Sequence, residues 1–511
     1  MNSETAIVVG AGVGGLAAAL DLATAGIGVT VVEAAAGPGG KMRAVTVAGH
    51  AIDAGPTVFT MRWVFDELLA AAGTTLEREV SLKPLQVLAR HAWSEDERLD
   101  LFADVERSEG AIGVFAGAAE ARRFRGFCDR AARIYSTLER PFLRGARCRS
   151  PLDLFFRAGL RRIPDLAAIS PFGTLWGALA DHFHDPRLRQ LFGRYATYCG
   201  SSPFLAPATL MLIAHVEQQG VWVVGDGMHG FAKALARIAQ RRGVAFRFGA
   251  TVVNVTVADG RATGVLLASG EWLPADVVVL NTDVAALANG GLGEAVRRTV
   301  GAVPQRSRSL SALTWMLVGE AQGFPLRHHN VFFSGDYRGE FDRLHRDRRL
   351  PDDPTIYICA QDRSDIAPDG GVSNGGTAGP ERLFCLVNAP PTGDTEAFDV
   401  EEIAACEHAT FSRLARCGLE IRYPPEALRV VTPADFHRLF PGTGGALYGR
   451  ASHGWRASFQ RPGSRTRVRG LYLAGGSTHP GPGVPMAALS GRLAAASLLA
   501  DLVSGRRSLR K

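Results

Sequence analysis

Apolar and polar positions divide the chain into short buried strands and Ala/Leu-rich helices, separated by glycine-dense turns. Ala6 to Val9 is an apolar, β-branched run that ends at a glycine and predicts a buried strand. Leu16 to Ala25 is rich in alanine and leucine and predicts a helix, stopped by Gly26. A second apolar run, Val29 to Val32, ends at Glu33. Phe231, Leu235 and Ile238 form an i, i+4, i+7 stripe on another helix, which Gly243 ends. A strand pair is expected near Val252 and Val265, and a further strand within 275–284. Residues 469–478 read as a strand running into a glycine turn, after which a helix carries Leu489, Leu493 and Ala496 on one face. Residues 75–225 lean to helix. The strand-like runs 311–318, 330–334, 355–360 and 383–388 predict a mixed sheet.

Strand, glycine turn, helix, strand and acid, in that order, make the dinucleotide-binding unit. Gly10, Gly12 and Gly15 stand in G-x-G-x-x-G spacing. Gly10 permits the tight turn, Gly12 lets backbone approach a pyrophosphate, and Gly15 lets helix and strand pack closely. The helix N-terminus offers unpaired N–H groups and partial positive charge to phosphates. Glu33 can accept hydrogen bonds from ribose hydroxyls and repels a 2′-phosphate.

The next stretch departs from what a nicotinamide dehydrogenase needs. A second glycine pair, Gly39 and Gly40, precedes Lys41 and Arg43, then a hairpin, then Gly55, Pro56 and Thr57. This predicts a second close backbone approach to a long, anionic cofactor. Near the C-terminus, Gly475, Gly476, Gly481 and Gly483 lead into a helix whose first turn suits Pro485. These features, with HHNVFFSGDY at 328–337, TPADF at 432–436, the pair Arg461-Pro462 and THPG at 478–481, resemble the carotenoid desaturases of the phytoene desaturase type. That family lies within the flavin-containing amine oxidase superfamily, and the resemblance runs nearly end to end. The amine oxidases carry arginine where this chain has Gly37. Within the family the chain is most similar to the hydroxyneurosporene and methoxyneurosporene branch of purple phototrophic bacteria.

The resemblance implies an α/β architecture with a Rossmann-like, discontinuous FAD-binding domain over 1–75, 225–290 and 465–511. An inserted mixed α+β domain over 76–224 and 291–464 would bind substrate and meet the membrane. FAD would be held by Gly10, Gly12, Gly15, Glu33, Gly39, Gly40, Lys41, Arg43, Gly55, Pro56, Thr57, Gly475, Gly483, Val484, Pro485 and Met486. Val252 reads either as a backbone contact to the adenine or as a plain core valine. The implied reaction is desaturation of an acyclic carotenoid by hydride transfer to flavin N5 and proton loss, with oxygen or a quinone as electron acceptor. Phytoene desaturation, isomerisation, ketolation or saturation on the same scaffold stay open. So does a non-catalytic lipid carrier of the GDP dissociation inhibitor type, against which the glycine sites at both ends argue. No catalytic residue is assigned: His215, His229, His328, His329 and His479 are candidates by type alone.

Composition narrows the setting. Of 511 residues, 46% are apolar and 21% charged, which excludes a disordered chain. The seven cysteines form no C-x-x-C pair, so neither a zinc knuckle nor a thioredoxin-type centre is indicated, no metal cluster stands out, and a reduced cytoplasmic protein is expected. The first residues lack the basic region of a secretory signal. Arg122 to Arg162 holds twelve arginines and three acids, a local excess of nine charges against +7 for the whole chain. Phe124, Phe127, Ile134, Tyr135, Leu138, Phe142, Leu143, Leu154, Phe155, Phe156 and Leu160 interleave with them. This stretch, including Arg144, Arg147 and Arg149, suits an anionic membrane face or an ordinary solvated helix face. No nucleic-acid motif accompanies it. A peripheral protein on the inner or photosynthetic membrane is expected.

Overall fold

The computed structural model describes residues 4–159, 172–363 and 379–508. Five parallel strands form one sheet, in the order Leu471–Leu473, Val277–Leu280, β1 (Thr5–Val9), β2 (Gly28–Val32) and Ala245–Arg247. They come from the segments 1–75, 225–290 and 465–511. The period-2 alternation of the strands decides what covers each face. Ala6, Val8, Val29, Val31, Val277 and Val279 pack under α1 (Val13–Thr24) and the helix Gly227–Arg241. Ile7, Val9, Val32, Val278 and Leu280 pack under an antiparallel sheet of Val252–Ala258, Arg261–Leu267 and Trp272–Pro274. The predicted stripe Phe231, Leu235 and Ile238 is buried.

The C-terminal helix Val484–Ser508 lies on α1 through a different stripe from the predicted one. Ala487, Ala488, Gly491, Ala494, Ala495 and Leu498 are buried; of the predicted face only Leu489 is, and Ala496 is exposed. Two backbones in near contact select the smallest side chains. A Cβ on Gly491 would overlap the carbonyl oxygen of Gly14. Among the described residues this is the one helix long and apolar enough to cross a membrane.

The second large sheet is mixed. Its order is Leu419–Arg422, Ser311–Gly323, Glu381–Ala389, Ile356–Ala360, His329–Phe332, Val87–Ala92 and Arg98–Phe102, with Leu428–Val431 also paired to Ser311–Gly323. All four predicted runs are strands here. Val87–Ala92 and Arg98–Phe102 were not predicted: Arg90 and His91 break the apolar alternation, and pairing to His329–Phe332 supplies what local pattern does not. A helical layer covers this end. In its long helix Ala118–Leu138, Phe124, Phe127, Ile134, Tyr135 and Leu138 are buried in the interior instead of facing outward. The alternation of arginine and aromatic residues is therefore internal packing with a solvated opposite face. All seven cysteines are free.

Gly491→Val is expected to lower stability by about 1–3 kcal/mol through overpacking, read as a shift in the denaturant midpoint. Ala496→Val, on the exposed side of the same helix, should stay within about 0.5 kcal/mol of the parent.

Candidate functional site

Parallel strands place their C-terminal ends on one edge, and the loops that leave that edge build the site. Gly10 follows β1 with φ of 99°. A Cβ on Gly15 would overlap the Gly10 carbonyl oxygen, so close packing there admits glycine alone. Gly12 caps α1 without any side-chain hydrogen bond to the first-turn amides, which leaves them for an anion. Gly39 donates its N–H to the Ala11 carbonyl at 2.9 Å, and a Cβ on Gly40 would stand 3.3 Å from the Gly12 Cα. The two predicted glycine sites near the N-terminus thus form one cradle. A Cβ on Gly55 would overlap the Lys41 carbonyl oxygen, tying the third glycine segment to the second.

The Glu33 carboxylate accepts from the Ala11 amide at 2.6 Å and the Ala35 amide at 2.8 Å. It sits at the end of β2, beside the turn that leads into Val252: Ala250 donates to the Glu33 carbonyl at 2.9 Å. The Val252 side chain belongs to the core against Ile7 and Val32. The contact to the Glu33 turn is made by Ala250, two residues earlier, and the core-valine reading describes the Val252 side chain.

The C-terminal turn closes on the same place. Gly475 has φ of 105°, and the following loop delivers Gly483 to the first turn of the helix that holds Val484, Pro485 and Met486. Asn281, which leaves the strand Val277–Leu280, joins the two ends: its Nδ2 donates to the Gly10 carbonyl at 3.2 Å. A Cβ on Gly14 would stand 2.7 Å from Asn281 Oδ1 and 3.0 Å from the Gly475 Cα. Asn281 was missed in the sequence, where it is one polar residue after an apolar run.

Buried cations lie beside this cradle. Lys41 Nζ donates to the Leu447 carbonyl at 2.5 Å. Burial pushes its pKa down, with Asp283 opposing and Arg461 reinforcing that shift. Arg461 donates to the Tyr448, Gly476 and Arg450 carbonyls, and burial brings its pKa down to about 10. Arg43 lies over the Phe436 ring at 5.8 Å with a buried Nη2 that has no partner. Such a pocket stabilises negative charge on a bound group. Thr57 Oγ1 and the Tyr357 hydroxyl share a 2.6 Å hydrogen bond, which links the loop after Pro56 to the mixed sheet.

Two of the candidate histidines, His229 and His328, line one cavity, and the others lie elsewhere. His479 is buried beside Phe142, its Nε2 3.0 Å from the Gly145 carbonyl, and burial lowers its pKa to about 4. His215 packs on Tyr135. His229 lines a cavity of ≈ 490 Å³ with Asp53, Thr57, Lys233, Gln361 and Arg382. The Asp53 carboxylate caps the helix there, accepting from the Met228 and His229 amides at 2.6 and 3.1 Å. His328, His329 and Cys359, which no sequence spacing brings together, have ligand-type atoms within 4.8 Å of one another. The sheet register that pairs His329 with Cys359 makes this cluster. His328 Nδ1 lies 3.1 Å from the Arg363 carbonyl, and His329 Nδ1 2.7 Å from the Tyr357 hydroxyl.

Residues 13–499 match the model of the flavin-containing amine oxidoreductase family. The hydroxyneurosporene desaturase of Rubrivivax gelatinosus is 55% identical over 511 residues, covering 100% of this chain and 96% of its own. That of Cereibacter sphaeroides is 46% identical over 502 residues, covering 98% of each. Among solved structures, an oxidoreductase from Methanosarcina mazei superimposes with a TM-score of 0.59 at 15% identity, over 96% of this chain and 99% of its own, and so shares the fold. The chain belongs to the flavin-containing amine oxidoreductase family, and within it to the hydroxyneurosporene desaturase branch. It is a flavin-dependent oxidoreductase, and the cradle above fits such a nucleotide: uncapped helix amides, glycines that leave no room for a Cβ, and an acid at the end of β2.

Glu33→Ala is expected to weaken flavin retention about 10- to 100-fold, the effect of losing about 1.5–3 kcal/mol of charge-assisted hydrogen bonding. The flavin-to-protein absorbance ratio after dialysis measures it.

Proposed function

We propose that the chain is an FAD-dependent desaturase that introduces a C=C bond into an acyclic carotenoid of the 1-hydroxyneurosporene or methoxyneurosporene type. The observation that carries this reading is the convergence of three glycine segments on one extended cradle, with the first and last meeting at Asn281. A cofactor gripped along such a length has a phosphate end and a ring end. The full-length similarity to relatives named for hydroxyneurosporene supports the substrate class.

When bound, the flavin supplies a two-electron acceptor for hydride from an allylic C–H. The chain's own residues do the rest. The α1 amides and Glu33 hold the nucleotide, and Gly475 to Met486 hold its ring end. Lys41 and Arg461 offer positive charge where negative charge develops. With the flavin bound, hydride and proton would leave adjacent carbons of the substrate, the hydride passing to the flavin and the proton to water, and oxygen or a quinone would take up the electron pair.

A largely apolar polyene of this kind resides in a bilayer, and we place the chain on the cytoplasmic side as a peripheral protein. The surface that supports this is the C-terminal part of the arginine-rich stretch and the chain just beyond it, not its long helix. Arg144 pairs with Glu67 at 2.7 Å and Glu139 at 2.9 Å and stacks on Trp63, while Arg147 donates to the Phe459 carbonyl. Both are structural cations. Arg161 and Arg162 lie outside the described residues. By contrast Leu152, Phe156 and Phe172 are 67%, 83% and 73% exposed, with Arg149 exposed nearby in the chain. Large apolar side chains next to cations suit the boundary of an anionic bilayer.

The purified chain should carry FAD and convert 1-hydroxyneurosporene to a product two hydrogens lighter, with a red-shifted absorption. An unchanged mass would indicate isomerisation and added oxygen ketolation; a colourless protein that takes up no flavin refutes the reading. Phe156→Asp with Leu152→Asp should lower partition onto anionic vesicles at least about 10-fold, since each buried side chain contributes about 1.5–3 kcal/mol.

A further inference from the structure

Arg194 opens the 3₁₀ segment Arg194–Cys199. It is 9% exposed. A guanidinium has five N–H donors, no acceptor, and a permanent charge. Buried, it needs a full set of oxygen partners. Arg194 lacks them. Its Nη1 and Nη2 reach the Tyr198 hydroxyl at 3.3 and 3.4 Å, and its Nε has no partner. Among the described residues no carboxylate pairs with it directly. The nearby Glu217 accepts instead from the hydroxyls of Tyr195 and Tyr198, each at 2.7 Å. The rings of Tyr198 and Tyr357 flank the guanidinium at 5.1 and 5.8 Å. His91 and His329 feel its charge and, being buried, are held neutral.

Two contacts fix where this donor sits. Tyr357, beside the guanidinium, hydrogen-bonds Thr57 at 2.6 Å. At the other end of the segment, a Cβ on Gly200 would overlap the Tyr448 ring, and Arg461 donates to the Tyr448 and Gly476 carbonyls at 3.2 and 3.1 Å. The segment thus runs between the loop after Pro56 and the loop that carries Gly476, which leads into the turn assigned to the ring end of the cofactor.

We propose that Arg194 reads the oxygen-bearing end of the carotenoid, donating hydrogen bonds to its hydroxyl or methoxyl oxygen. This rests on the desaturase reading above. An ether oxygen accepts but does not donate, so one group that reads both a hydroxyl and a methoxyl must be a donor. A guanidinium is donor only. A hydrocarbon end leaves the charge unpaired in a dry site, and sites built around a buried donor reject such analogues strongly. Tyr198, oriented by Glu217, is the positioning residue: its hydroxyl donates to the carboxylate and accepts from the guanidinium.

The test compares 1-hydroxyneurosporene with neurosporene on the flavin-loaded enzyme in vesicles. The parent should prefer the hydroxylated carotenoid at least about 100-fold in kcat/KM. Arg194→Met should lose most of that ratio by slowing the hydroxylated substrate while sparing neurosporene, with flavin content unchanged. Arg194→Lys, which keeps the charge but not the fork, should fall between. The ratio is read a second time as carotenoid retained per flavin without an electron acceptor, so it is scored whether or not product forms. Desaturation failing while retention still discriminates counts against the reaction and for Arg194. Equal loss on both carotenoids, or no preference in the parent, overturns the assignment. Should Arg194→Met lose its flavin, Tyr198→Phe takes its place, with an expected ratio about 3- to 10-fold below the parent, from one lost hydrogen bond. An unchanged ratio in that variant overturns the assignment equally.

Discussion

Backbone from the two ends of the chain must come into van der Waals contact around a single asparagine side chain. Gly14, Gly475 and Asn281 meet at distances that no added Cβ would tolerate, and Gly491 repeats the constraint one helical level away. The parallel sheet makes this meeting possible, because β1, Val277–Leu280 and Leu471–Leu473 are neighbours that point the same way. Their following loops therefore emerge side by side, although the residues are hundreds of positions apart. The small-residue stripe of the C-terminal helix, the cradle of amides and the position of Glu33 all follow from that geometry.

A second theme is polar chemistry enclosed by apolar layers. Glu217, Tyr195, Tyr198, Arg194, Tyr357, His329 and Thr57 form a chain of contacts from the helical layer, through the mixed sheet, to the loop after Pro56. Groups of this sort are expensive to bury and specify a unique arrangement when satisfied. Here each Glu217 oxygen has a donor whereas Arg194 Nε has no acceptor, and the unsatisfied member is the informative one.

What was legible in the sequence was whatever depends on local backbone demands. The glycines at 10, 12 and 15, the pair at 39 and 40, and the turn before Val484 announce themselves because special backbone geometry leaves few residue choices. The family resemblance that those motifs carried agrees with the full-length relatives. What was illegible depends on partners distant in sequence. Val87–Ala92 is a strand because His329–Phe332 lies beside it. The stripe on the last helix was misjudged because leucines normally mark the buried side, whereas here proximity to α1 selects alanine and glycine. The aromatic residues of Ala118–Leu138 carry the same lesson: alternation with arginine shows an amphipathic helix but not what its apolar side meets. Arg194 looked like one arginine among many, since only its neighbours reveal that its donors are unspent.

The sheet order has a kinetic consequence. The strand Leu471–Leu473 and the helix after it complete the site that β1 and α1 begin, from the far side of the intervening sequence. Joining such separated segments closes a long loop, whose entropy is lost before the contacts form, so the glycine-lined meeting at Asn281 belongs among the slow steps of folding.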